Sequence, residues 1–269
     1  MNNKDILRIA MEQSAVDMNC SAEDFTRPEN VIAVSAKNSG ARIYLELPFI
    51  CDMVTYGSNI TASAGEEYIP AVKEYLAHAE IMHCFETPSI YRLNELMKPY
   101  GAAVCFQAEY WLPDLDILKP LDCKYEIREL HPEDFPPLYR AEWSNALCEK
   151  RKFADVLAAG AYDGGKLIGL AGCSADCEKM WQIGVDVLPE YRRNGIASAL
   201  TSRLALMVLE RGKVPFYCCA WCNIKSARNA VRSGFRPAWN QMTVKSSDYI
   251  KNNTRTSAEA NNVLTIPAP

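Results

Sequence analysis

Arg192, Gly195 and Ala197 stand in the spacing R-x-x-G-x-A where the extended run Val185-Asp186-Val187 passes through Leu188-Pro189-Glu190-Tyr191 into a helical pattern beginning at Ile196. Gly195 and Ala197 let a ligand approach the backbone closely, and the first N–H groups of a helix have no partner inside it. The pattern predicts an anion cradle suited to a pyrophosphate. Two other phosphate-binding patterns are absent. No Gly-x4-Gly-Lys-Ser/Thr loop occurs, and no Gly-x-Gly-x-x-Gly follows a first strand.

The neighbouring elements must hold this turn in place. Apolar positions at Ile196, Leu200, Leu204, Met207 and Val208 predict a helix from Ile196 to Arg211, ended by Gly212. A strand Val214 to Trp221 follows, then Asn223-Ile-Lys-Ser226, a second helix to Ser233, and Gly234-Phe235. This order of strand, R-x-x-G-x-A, helix, strand, Asn-x-x-Ser, helix and Gly-Phe resembles the GNAT superfamily of acyl-CoA-dependent N-acyltransferases over about residues 124–246.

The resemblance implies an α/β (α+β) fold with a mixed, splayed central sheet, and acetyl-CoA as co-substrate. It implies that the backbone of Val185, Asp186 and Val187 pairs with the pantetheine arm, and that the turn Arg192, Arg193, Asn194, Gly195, Ile196, Ala197 and Ser198 holds the pyrophosphate. Asn223, grouped with Ser226, is expected to contact the cofactor arm or to order the splayed strand. Taken alone, Asn223 reads equally well as the N-cap of the helix after it. The implied activity is direct transfer of an acetyl group to an amine of a small molecule or peptide.

Two positions depart from the family pattern. Ala230 stands where a tyrosine often protonates the departing thiolate, and Cys218 where a glutamate is frequent. These departures leave open a second reading, a non-catalytic acyl-CoA-binding sensor or regulatory protein. They do not exclude chemistry. A thiolate leaving group has a reference pKa of about 8.5, and juxtaposing two substrates lowers a barrier by roughly 7–11 kcal/mol. An alkylammonium acceptor of pKa about 10.4 must still lose a proton, at about 4–5 kcal/mol near pH 7, so a base or water relay is expected. Catalytic candidates are Asp186, Tyr217 and Cys218, with Asp176, Glu178, Glu142 and Asn145 as further polar groups near the expected cleft. Each has a structural reading: Asp186 bonded to nearby backbone, Tyr217 and Cys218 as packing residues.

The net charge of −4 provides no basic stripe for nucleic acid. The start Met-Asn-Asn-Lys-Asp-Ile-Leu lacks the features of a signal peptide, and no apolar run reaches about 18 residues, so a cytoplasmic protein without membrane attachment is expected. Eleven cysteines are then expected as reduced thiols. Cys173, Cys177, Cys219 and Cys222 lack accompanying histidine spacing, and no metal site is expected.

Pro113 to Cys123 reads as a junction between an N-terminal α/β domain, residues 1–122, and an acyltransferase domain, residues 123–246; residues 247–269 read as a polar, flexible tail. The N-terminal domain reads either as a degenerate repeat of the same plan, lacking the R-x-x-G-x-A turn, or as an unrelated cap. Its expected elements are helices Lys4–Asp17, Glu66–His78 and Ser89–Tyr100, and strands Val31–Ser35, Ala41–Leu47, Met53–Ala64, Ile81–Phe85 and Ala103–Tyr110. In the second domain, Tyr125–Leu130 and Met180–Val187 are expected strands, Gly164-Gly165 a hairpin turn, and His131-Pro-Glu-Asp134 the start of the first of two helices.

Overall fold

The computed structural model describes residues 1–254. The chain divides into two compact units, each described by itself. One comprises Met1–Leu7 with Trp111–Pro237, the other Arg8–Tyr110 with residues 238–254. The expected junction at residues 113–123 lies wholly within the first of these.

The unit built on residues 8–110 contains most of helix α1 (Asn3–Met18), strands β1 (Val31–Val34), β2 (Cys51–Thr55) and β3 (Thr61–Ala64), helices α2 (Ile69–Leu76) and α3 (Thr87–Met97), and most of strand β4 (Ala102–Pro113). Its sheet is mixed: β1 runs parallel to β3, and β2 runs antiparallel to β3. Met53, Ile60, Ala62, Val72, Leu93 and Met97 are fully buried in its core.

Two expected strands are absent there. At Ala41–Leu47, the Arg42 N–H donates to Asp17 Oδ1 and the guanidinium pairs with Asp17 Oδ2 at 2.5 Å, so that backbone group is committed to a carboxylate rather than a ladder. At Ile81–Phe85 the amides of His83 and Glu86 bond locally to the carbonyls of Glu80 and His83. The single strand expected over Met53–Ala64 is two, parted at Gly57, whose φ is +101°.

The unit built on residues 111–237 carries β5 (Glu126–Leu130), β6 (Asp155–Asp163), β7 (Lys166–Ser174), β8 (Met180–Val187), helix α4 (Ile196–Glu210), β9 (Val214–Ala220), helix α5 (Ile224–Arg232) and the start of β10 (Phe235–Ser246). Strands β5 to β8 form an antiparallel meander, and β9 joins β8 in parallel. The apolar stripe of α4 packs on one face of this sheet. Ile196, Leu200, Leu204, Met207 and Val208 are at most 5% exposed against Ile168, Ala171 and Ile183. At roughly 1.5–3 kcal/mol per fully buried large aliphatic side chain, this stripe fixes where the N-terminus of α4 sits.

On the opposite face Leu130, Phe135, Trp143, Leu147 and Leu170 form a second cluster. The two helices expected after β5 are replaced by short 3-10 turns at Pro132–Asp134, Pro136–Leu138, Ala141–Trp143 and Glu149–Ala154. The adjacent Pro136 and Pro137 offer no N–H, and Arg151 is non-helical at φ −134°, ψ 43°, so no continuous α-helical ladder forms. Beyond β10, Ser247–Asn253 forms a helix, α6, within the stretch expected as a polar tail; the rest of that expectation, residues 255–269, lies outside the described residues.

Candidate active site

Strand β8 pairs with β9 only through Met180–Gln182 against Val214–Phe216. Beyond that point the two parallel strands part, while β8 remains bonded to β7 as far as Val187. A wedge therefore opens in the sheet, bounded on one side by the free edge of Ile183–Val187. Alternation along β8 sends Ile183, Val185 and Val187 into the cluster beneath α4, and Gln182, Gly184 and Asp186 to the other face.

At the end of β8 the chain turns through Pro189–Tyr191 into α4. Arg193 has φ +64° and Gly195 φ +77°, the left-handed region that glycine enters without a Cβ penalty. Arg192, Arg193, Asn194 and Gly195 are exposed, and Gly195 caps the helix with no side chain over its amides. The first residue to bond back is Ala199, to the Gly195 carbonyl, so the N–H groups of Ile196, Ala197 and Ser198 precede the ladder. The remaining side chains shape the turn. Asn194 Nδ2 donates to the carbonyls of Tyr191 and Arg192, and Arg192 Nε donates to the Val187 carbonyl at 3.0 Å. A turn of this shape suits an anionic ligand.

Ser198 is buried, and its hydroxyl donates to Asn229 Oδ1 at 3.0 Å, so its backbone amide rather than its hydroxyl faces the turn. Asn229 Nδ2 donates to Thr201 Oγ1, tying α5 to α4. Asn223 is exposed and caps α5, accepting from the Ser226 N–H at 3.2 Å. Ser226 Oγ lies 2.7 Å from the Tyr217 hydroxyl. Burial beside Phe235 pushes the Tyr217 phenol up to about 12, although Ser226 and Asn229 pull it down. Tyr217 thus lies under α5, one residue from Cys218.

Asp186 holds a loop. Its Oδ2 accepts the N–H groups of Asn145 (2.8 Å) and Ala146 (3.0 Å), and its Oδ1 accepts Asn145 Nδ2 at 2.6 Å. Burial raises its pKa, opposed by these three donors and by Arg192. Gly184 explains how the loop comes so near: a Cβ there would run into the Asn145 carbonyl oxygen, and one on its register partner Gly172 into that of Ala146. This trough in the sheet is a feature that sequence reasoning missed, although its signal, one glycine in each of two adjacent strands, is visible in the chain.

The other polar candidates are dispersed. Asp176 is fully buried, accepts from Ser174 Oγ at 2.9 Å and faces Arg151 at 3.7 Å. Glu178 is exposed, and Glu142 faces Arg140 at 3.9 Å. Cys218 remains at the wedge, where Gln182 Nε2 donates to its Sγ at 3.0 Å. Ala230 is fully buried, so no side-chain acid issues from that position of α5.

A family model described as GNAT acetyltransferase matches residues 97–240, more than half of the chain. The chain belongs to the GNAT acetyltransferase family. Solved structures with similarity include a GNAT-family protein from Novosphingobium aromaticivorans (20% identity, 54% of this chain and 66% of that one, TM-score 0.44) and a GNAT-family acetyltransferase from Colwellia psychrerythraea (16%, 56% and 60%, TM-score 0.41). A tandem GNAT protein from the clavulanic acid biosynthesis pathway is similar at 15% identity over 57% of each chain, with a TM-score of 0.43. The chain spans about two thirds or less of the length of each of these. No curated protein matches. The family expected from the R-x-x-G-x-A turn is the family of this chain, and the mixed, splayed sheet expected with it is present. Among the described residues, no group of three or more His, Cys, Asp or Glu is arranged to hold a metal, and no helix is long and apolar enough to cross a membrane.

Proposed function

We propose that this GNAT acetyltransferase is an N-acetyltransferase, moving an acetyl group from acetyl-CoA directly to an amine of a small molecule or peptide. The observation that carries the reading is the parting of β8 from β9 after Gln182 and Phe216, with the exposed turn Arg192–Gly195 at the end of the same strand. Acetyl-CoA supplies the activated acyl group. In this reading the free edge of Val185–Val187 pairs with the pantetheine arm, and the amides of Gly195, Ile196, Ala197 and Ser198, with Arg192, Arg193 and Asn194 around them, receive the diphosphate. Asn223 and Ser226 border the arm where α5 begins.

The residues also divide the proton work. Asp186, with both oxygens engaged by the Asn145–Ala146 loop, acts by position rather than as a base. Tyr217 stays protonated to about 12 and is poised to pass a proton through Ser226 Oγ toward the departing thiolate. Cys218 places a thiol where the strands part. The eleven cysteines, all free thiols, suit a cytoplasmic protein.

The test is acetyl-CoA with a panel of primary amines, following release of the coenzyme thiol. Amine-dependent release is expected. Saturable heat of acetyl-CoA binding with no release for any amine would favour the non-catalytic sensor, which the Ala230 and Cys218 departures also fit.

A further inference from the structure

Resting on that reading, we propose that Gln182 is a positioning residue for the acceptor amine: its Oε1 receives an N–H of the amine at the floor of the wedge, while Cys218 holds its other end. Gln182 is the last residue of β8 registered with β9, so its side chain leaves the backbone where the strands part. It lies on the face of Gly184 and Asp186, the face walled by the Asn145–Ala146 loop and opposite the α4 packing. Its Nε2 reaches across to Cys218 Sγ at 3.0 Å. Its Oε1 is buried and meets no donor.

Buried side-chain oxygens in native proteins are nearly all paired, and one left without a donor is a standing cost that a ligand N–H would remove. An amide oxygen accepts a hydrogen bond but is far too weak a base to take the proton. The role is therefore orientation: it directs the nitrogen lone pair toward the acyl carbon and leaves deprotonation to other groups or water. Cys218, standing where the family often has a glutamate, would then act through Gln182.

The experiment uses the full chain with acetyl-CoA and the best acceptor from a panel of primary amines comprising alkylamines, arylalkylamines, polyamines and lysine peptides. Gln182→Leu keeps the bulk and removes both polar ends. It is expected to raise the amine KM about tenfold or more, leaving the calorimetric Kd for acetyl-CoA within about twofold. Gln182→Glu, which restores an acceptor oxygen, is expected to recover most of the amine KM. An unchanged amine KM in Gln182→Leu overturns the assignment, and so does a weakened acetyl-CoA Kd with the amine KM unmoved, which would give Oε1 to the amide N–H of the pantetheine instead. A wild-type chain that binds acetyl-CoA and acetylates none of these amines overturns the acceptor role together with the transfer reading.

Discussion

At the scale of single residues, carboxylates in this chain divide by what surrounds them. Asp186 accepts three N–H groups from one loop, and Asp186→Ala strands those donors. Leaving a buried donor unmet costs about 1–3 kcal/mol, so the urea midpoint should fall and hydrogen exchange should speed up at Asn145 and Ala146. Unchanged protection at those two amides would refute the anchoring role. Asp52 is the contrasting case. It is fully buried on β2, accepts from Gln241 Nε2 (2.7 Å) and Thr243 Oγ1 (3.0 Å), and burial pushes its carboxyl up to about 7. A folded-state pKa above the unfolded one means that its contribution to stability is fully present below about pH 4 and is lost as pH rises through about 7. Asp52→Asn should therefore be more stable than wild type at pH 8, with the gap closing toward pH 4. Parallel stability curves across that range would contradict this.

At the scale of elements, β8 does three jobs. One edge is bonded to β7, one face packs beneath α4, and the other face carries Gln182, Gly184 and Asp186 toward the loop. The turn at its end depends on Gly195. An alanine there meets no atom within 4 Å, so Gly195→Ala acts through the backbone alone, at about 1–2 kcal/mol for holding an L-residue left-handed. If the turn relaxes, acetyl-CoA affinity should weaken by about tenfold in calorimetry. An unchanged Kd would place the diphosphate elsewhere.

At the scale of the whole molecule, all eleven cysteines are free thiols. Cys222 is exposed and the others are buried or half-buried, with Cys20 and Cys105 raised by burial. A thiol reagent should modify Cys222 first in the native protein, Cys222→Ser should remove that fast phase, and denaturation should expose eleven thiols. Fewer than eleven after purification without reductant would point to disulfides.

The R-x-x-G-x-A turn and the elements around it were legible because they are local. A strand, a turn of small residues and an amphipathic helix each announce themselves within about 15 residues, and β8, α4, β9 and α5 match their expected limits within a residue or two. Elements set by distant contacts were not legible. The run Ala41–Leu47 alternates as a strand does, yet Arg42 is claimed by Asp17, 25 residues away, and the segment after β5 follows its prolines and the glycine trough rather than helical periodicity.

By itself the sequence determined the family, the left-handed glycine turn before α4 and the order of elements around it, since those follow from residue types at short spacing. Only the tertiary structure decided that Asp186 grips a loop, that Tyr217 lies against Ser226, and that Gln182 and Cys218 meet where the strands part. Those pairings join residues 9 to 41 positions apart, in strands, a loop and a helix that meet only once the sheet is assembled, and spacings of that length leave no local pattern.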